Sequence, residues 1–232
     1  MKVMPTCSSG WIWHSMARET GNLGHLYSPG DQRGPWPWLP YALDNGAYSC
    51  WDKSSNTFNY DKWEQKEPLW RHLIFWAQSV AIKPLWAVVP DVPGHAKETL
   101  ARWPKYAPEL KEARIPLALA VQDGMTPSDV GALAIQPDVI FVGGGDEWKW
   151  KTVEVWCAAF PRVHLGRCNM PEKLNYLESL GCESTDGTGW NRGSRTQTAG
   201  LEGWARQNPT PTIEPIWPHV SRAQPKNQQT FA

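Results

Sequence analysis

The chain has 232 residues, enough for one sizeable core and slightly short of the roughly 250 of a complete (β/α)₈ barrel. Lys plus Arg total 23 and Asp plus Glu total 23, so no overall positive field marks a nucleic-acid partner, although a neutral chain can still carry a local basic patch. The five cysteines, Cys7, Cys50, Cys157, Cys168 and Cys182, are odd in number and include no Cys-x-x-Cys pair, which argues for reduced thiols and against a disulfide framework or a zinc site. The opening residues lack a basic region followed by an apolar stretch, and no run approaches the roughly 18 apolar residues of a membrane span. A soluble, cytoplasmic protein with no membrane partner is expected. Of the 16 tryptophans, most are expected in the core or between strands and helices.

Taken in chain order, a short first strand near Lys2–Thr6 precedes a stretch, 10–38, rich in Gly, Pro and Trp and poor in periodicity. Such a segment reads as a long loop or lid, or as the cover of an unrecognised helix. From Leu39 a rhythm sets in. Buried strands are expected at Leu39–Asp44, Pro84–Asp91, Pro116–Gln122, Asp138–Gly143, Arg162–Gly166 and Cys182–Asp186. Helical runs alternate with them at Asp61–Ser79, His95–Ala113, Pro127–Gln136, Glu147–Phe160 and Pro171–Leu180. Thr126-Pro127 and Asn169-Met170-Pro171 supply cap-like starts for two of these. Strand then helix, repeated, implies parallel strands and right-handed crossovers.

Seven strands are counted in this way, and an eighth after Asp186 is not evident; Thr198–Gln207 reads as a helix. The expected fold is therefore α/β, a TIM-type (β/α)₈ barrel, distorted or incomplete. It would occupy 1–208, with 209–232 as an extended arm in which Ile213–Val220 adds an irregular strand. A doubly wound open sheet has the same period, but no Rossmann fingerprint follows the first strand.

The strand ends carry the chemistry. Leu43-Asp44-Asn45-Gly46, Val89-Pro90-Asp91, Val121-Gln122-Asp123-Gly124, Phe141 through Gly145, Leu165-Gly166-Arg167 and Ser184-Thr185-Asp186-Gly187 all open on one face of such a barrel, where active sites are built. Asp44 either projects its carboxylate into the mouth or closes an Asx turn. Tyr48, four residues on, covers the same pocket or belongs to the core. Asp91, framed by Pro90 and Pro93, points into the site or caps the helix at His95. Gln122 offers both a donor and an acceptor, the combination that reads a purine-like edge, while Asp123-Gly124 could simply form the turn. Gly143-Gly144-Gly145 admits a ligand close to the backbone, and Asp146-Glu147 there favours an uncharged ring over a phosphate. Asp186 is the candidate nucleophile, because a carboxylate can attack an acetal-like carbon and leave again as a stable anion. Downstream, Trp190, Arg192 and Arg195 combine an aromatic with two cations, a mixture suited to an unstacked base and a phosphate backbone, or else a simply solvated loop. The histidines have no metal-type spacing, and no Ser-His-Asp constellation is legible.

Together, from Asp44 to about Arg195, these residues resemble the tRNA-guanine transglycosylase superfamily, barrel enzymes that exchange guanine for a 7-deazaguanine. The family's Asp-Ser-Gly-Gly-Phe signature is similar to Asp44-Asn45-Gly46-Ala47-Tyr48. The resemblance implies general acid/base work for Asp44, stacking on the base for Tyr48, base binding for Asp91 and for Gln122 with Asp123-Gly124, and backbone contact from Gly143 and Gly144. Its Met-Gly strand end corresponds to Leu165-Gly166, and its nucleophilic aspartate to Asp186.

The family's Cys-x-Cys-x-x-Cys zinc element and the C-terminal segment that carries it are missing, and Asp186-Gly187-Thr188-Gly189 stands where the family has Asp-Cys and a Pro-Thr-Arg loop. No metal and no other cofactor is expected. The chain is similar in kind to the compact DNA-acting relatives of phages and bacterial islands. The implied activity is a pentosyltransferase that replaces guanine in DNA by a preQ0-like base through a covalent aspartyl intermediate. tRNA as substrate, a nucleoside or DNA glycoside hydrolase on the same carboxylates, and a non-catalytic nucleic-acid-binding partner subunit are the alternatives; an oligomer is compatible with all of them.

Overall fold

The computed structural model describes residues 1–6, 11–30 and 34–210. In chain order its elements begin β1 (Lys2–Val3), α1 (Trp11–Thr20), β2 (His25–Tyr27), β3 (Tyr41–Leu43), a 3₁₀ turn (Ala47–Cys50), β4 (Trp51–Asp52), β5 (Thr57–Phe58) and α2 (Tyr60–Ser79). They continue β6 (Ala87–Val88), α3 (Ala96–Glu112), β7 (Leu117–Val121), α4 (Pro127–Gly131), β8 (Val139–Val142) and α5 (Asp146–Ala159). The last are β9 (Val163–Leu165), α6 (Pro171–Ser179), β10 (Ser184–Thr185), α7 (Gly189–Arg192) and α8 (Arg195–Gln207).

Apart from the β4–β5 hairpin, the strands form one all-parallel sheet in the order β1-β10-β9-β8-β7-β6-β3-β2. Its two ends meet at a parallel bridge between Val3 and Leu23, supported by Val3 N donating to Asn22 O at 2.9 Å and Gly24 N to Val3 O at 2.8 Å. The sheet is thus a TIM-type (β/α)₈ barrel. Seven of the eight barrel strands stand where the alternation of apolar runs predicts them, each shorter than expected.

The eighth is the correction. It is β2, inside the 10–38 stretch expected as a loop or lid, and it is preceded there by α1; the residues after Asp186 form the helices α7 and α8 instead. Three strand residues between Gly24 and Pro29 are too few to display a period. The close pairing of β2 with β3 leaves no room for a side chain at Gly24, where a Cβ would stand 2.8 Å from the carbonyl of Pro40. The helix expected to reach Gln136 stops at Gly131, although its Thr126 cap and Pro127 start are as anticipated. At α6 the cap position is Met170, and Asn169 instead accepts from Gly189 N at 2.7 Å. The arm from 211 onward, including Ile213–Val220, lies outside the described residues, as does Cys7.

Side chains alternate across the sheet. Met4, Leu26, Ala42, Trp86, Val88, Ala118, Ala120 and Val139 cluster with Phe141 inside the barrel, small residues making room for Trp86. Val3, Leu43, Val89, Leu119, Val121, Ile140, Val142, Val163 and Leu165 face outward against the helices, where Trp63, Trp70, Trp103, Trp156, Trp190 and Trp204 are buried. Each such ring removes roughly 150–250 Å² from water, worth several kcal/mol at about 25 cal/mol per Å². Among the described residues no helix is long and apolar enough to cross a membrane.

Candidate active site

A cavity of about 450 Å³ opens at the carboxyl ends of the barrel strands, lined by Asp44, Tyr48, Asp91, Gln122, Gly143, Gly144 and Asp186 among others. Seven of the residues singled out from the sequence are therefore brought to one place by the parallel order of the strands. Leu26, Val88, Ala120 and Phe141 add apolar wall to it.

Asp44 directly follows β3, its N–H donating to Tyr27 O at 2.7 Å. Its Oδ1 accepts from Asn45 N at 2.9 Å and its Oδ2 from the Ser28 hydroxyl at 3.3 Å, so turn closure and exposure to the cavity coexist. Burial, reinforced by the charge of Asp186, pushes its pKa up to about 6, against the pull of the Gly46 and Asn45 N–H groups and Ser28.

Asp91 does not cap α3; the cap position is His95, and the Asp91 carboxylate points to Asn45 and Gln122. Asn45 Nδ2 donates to Oδ1 and Gln122 Nε2 to Oδ2, each at 2.8 Å. The orientation of both amides is set by backbone: Ala47 N donates to Asn45 Oδ1 at 2.8 Å and Gly94 N to Gln122 Oε1 at 3.0 Å. The Asp91 carboxyl group is thereby held at the cavity wall between two amides, each oxygen accepting from one of them. Burial pushes Asp91 up to about 7; the Asn45 bond works against that, and the Asp44 charge adds to it.

This arrangement has a measurable consequence for stability. The folded value of Asp91 lies above the unfolded one, so its contribution is complete below about pH 4 and is lost as pH rises through about 7. Asp91→Asn cannot ionise, but it sets one amide N–H₂ against another, at a cost of roughly 1–3 kcal/mol. Its stability deficit should be largest near about pH 4 and shrink toward about pH 8. Urea denaturation at both values checks this, and a deficit that grows with pH would contradict it.

Asp186 follows β10 and is 7% exposed. Two nitrogens meet on its Oδ1: the backbone N–H of Arg167, donating at 2.7 Å, and Nε2 of His164 at 3.1 Å. Tyr48, 40% exposed on the 3₁₀ turn, stands at the mouth with the Arg167 guanidinium 4.9 Å above its ring and Arg167 Nη1 donating to its hydroxyl at 2.9 Å. The other guanidinium nitrogen donates to the carbonyls of Gly143 and Gly144. The glycine backbone expected to touch a ligand is thus bonded to Arg167. Asp123 does more than form a turn, since its Oδ1 accepts from Gly145 N.

Three other expectations are corrected, those on Leu165, Gly166 and Trp190. Leu165 is fully buried and faces the helices, because the inward place on β9 belongs to His164. Gly166 stands beside the cavity but not in its lining; a Cβ there would meet the Phe141 ring at 2.7 Å, and its carbonyl accepts from the buried Lys149 Nζ at 2.9 Å. Trp190, 1% exposed, is part of the outer core and cannot stack on a base. Arg192 and Arg195 are exposed, on α7 and at the start of α8, away from the cavity lining.

Sequence reasoning missed His164, and it placed Asn45 and Arg167 at strand ends without giving either a role. A polar residue amid an apolar strand, Val163-His164-Leu165, was the available signal for the first. His164 Nδ1 lies 2.8 Å from the Ser184 hydroxyl, so Ser184, His164 and Asp186 do form a chain that sequence spacing conceals. Ser184 is fully buried, however, and Asp186 is the member on the cavity, the reverse of a serine hydrolase. Among the described residues no three His, Cys, Asp or Glu side chains gather as a metal site would require.

No protein-family model matches the chain, and comparison with curated proteins returns no match.

Proposed function

We propose that this chain is a base-exchange glycosyltransferase that replaces guanine in DNA by a 7-deazaguanine of the preQ0 type. The observation that carries the reading is the presence of two carboxylates with different surroundings on one cavity. Asp44 is pushed up to about 6, in the range of a proton carrier, while Asp186 has Oδ1 engaged by two nitrogens.

A target nucleotide extruded from the stack, at a cost of a few kcal/mol, would seat its base against Phe141 and the Asn45–Asp91–Gln122 wall, where a carboxylate accepts from the adjacent N–H groups of a guanine edge. Asp186 attacks C1′ through an oxocarbenium-like transition state. The electron pair of the C1′–N bond leaves with guanine, which takes the proton of Asp44. The incoming base returns a proton to Asp44, its nitrogen bonds C1′, and the carboxylate departs. The cavity volume falls within the roughly 300–1,000 Å³ of small-molecule sites.

The decisive experiment incubates the protein with a DNA duplex and labelled guanine or preQ0, then digests the DNA for nucleoside mass spectrometry, with tRNA in parallel. Incorporation into DNA supports the proposal, and incorporation into tRNA alone moves it to the RNA substrate. Guanine release without any incoming base would make the protein a hydrolase, and DNA binding with unchanged bases a non-catalytic partner.

Arg192 and Arg195 remain the proposed contacts to the DNA backbone. Replacing both by Ala should weaken DNA binding and reduce the slope of log K against log salt by about two. An unchanged slope would remove them from the interface.

A further inference from the structure

The Ser184–His164 pair has no part in the exchange as described, yet it is built with care. His164 is fully buried inside the barrel, its ring stacked on Phe141 (centroids 4.6 Å apart, 25° between planes) and edge-on to Trp86 at 4.8 Å. Its two nitrogens reach Ser184 Oγ and Asp186 Oδ1. An ionised Asp186 only accepts, so the bond to it requires the proton on Nε2, and a hydroxyl donating to Nδ1 selects that tautomer. The second donor on Oδ1, Arg167 N–H, belongs to a residue at φ +60°, a region disfavoured for a side chain. Lys149, 1% exposed, holds that bend through the carbonyls of Gly166 and Arg167 at 2.9 and 3.2 Å. Among the described residues no hydrogen bond engages Asp186 Oδ2.

We infer that His164, set by Ser184, is a positioning residue that with Arg167 N–H reserves Oδ1 of Asp186 as the spectator oxygen, so that Oδ2 attacks C1′ and the carboxylate is readily released again. The inference rests on the proposed covalent role of Asp186. In the covalent state Oδ2 is the ester oxygen and Oδ1 the ester carbonyl. When the incoming base displaces the ester, the electron pair of the C1′–Oδ2 bond returns to the carboxylate and negative charge builds on Oδ1, where the two donors strengthen. The same donors favour the free carboxylate before attack. Their removal therefore slows breakdown of the adduct more than its formation.

His164→Phe keeps an aromatic ring against Phe141 and removes both nitrogens; His164→Gln retains an N–H near the position of Nε2; Ser184→Ala removes one buried hydroxyl. With DNA duplex and labelled 7-deazaguanine, rapid quenching and denaturing gels separate adduct formation from adduct breakdown. His164→Phe should slow breakdown on the order of 10²-fold and raise the fraction of protein trapped on DNA. His164→Gln should recover much of that loss, and Ser184→Ala should shift the ratio in the same direction by less. A native ratio of formation to breakdown in His164→Phe, or in Ser184→Ala should the Phe variant fail to fold, overturns the inference. Exchange by Asp186→Asn at the native rate would instead overturn the covalent reading beneath it, so the two failures are distinguishable.

Discussion

Asp186→Asn should lower guanine exchange by on the order of 10⁴-fold or more, the scale of losing a covalent nucleophile, while the barrel stays folded and DNA binding persists. Asparagine preserves the shape, and its Oδ1 can still accept from Arg167 N and His164 Nε2. What disappears is the second, anionic oxygen that would bond C1′. No adduct should survive on a denaturing gel. Because the Asp186 charge helps raise Asp44, the same substitution should also lower the Asp44 value from about 6, which NMR titration of the carboxyl carbon would read. Near-native exchange by this variant would sink the assignment whichever nucleic acid proves to be the substrate.

Asp44→Asn should slow exchange by roughly 10²–10⁴-fold, the usual worth of a positioned proton carrier. The pH dependence distinguishes this from mere damage. Departing guanine needs Asp44 protonated, and the group is raised to about 6, so kcat/KM for DNA should fall as pH rises through about 6. In the variant that descending limb should vanish, and a covalent DNA adduct should accumulate wherever guanine still departs, since nothing then deprotonates the incoming base. Should the limb persist unchanged in Asp44→Asn, it belongs to another group. Asp91, raised to about 7 in the same wall, would be the one to test next.

Much of this was legible in the chain. The alternation of short apolar runs with helical periods announced a parallel barrel, since successive parallel strands need crossovers and crossovers of this length are helices. Residues immediately after each run had to share a face, which placed Asp44, Asp91, Gln122, Gly143, Gly144 and Asp186 together before any coordinate. Both carboxylates of the proposed mechanism are among them.

Illegible elements share a cause: they depend on contacts between residues far apart in the chain. β2 has only three residues and is defined by its pairing with β3 and the bridge to Val3, not by a pattern of its own. Trp190 follows Asp186 closely in the chain, but α8 and the outer core enclose it, and Leu165 has no place on the cavity because the pleat turns His164 inward. By itself the sequence determined the layered architecture, the strand-end carboxylates and the absence of any long apolar span, because each follows from local period and composition. Only the tertiary structure decided which atoms meet: Asn45 and Gln122 on Asp91, Arg167 across the mouth, and His164 and Ser184 behind Asp186. Burial and the pairing of charges set the proton affinities of Asp44 and Asp91, and both come from neighbours that folding alone brings within reach.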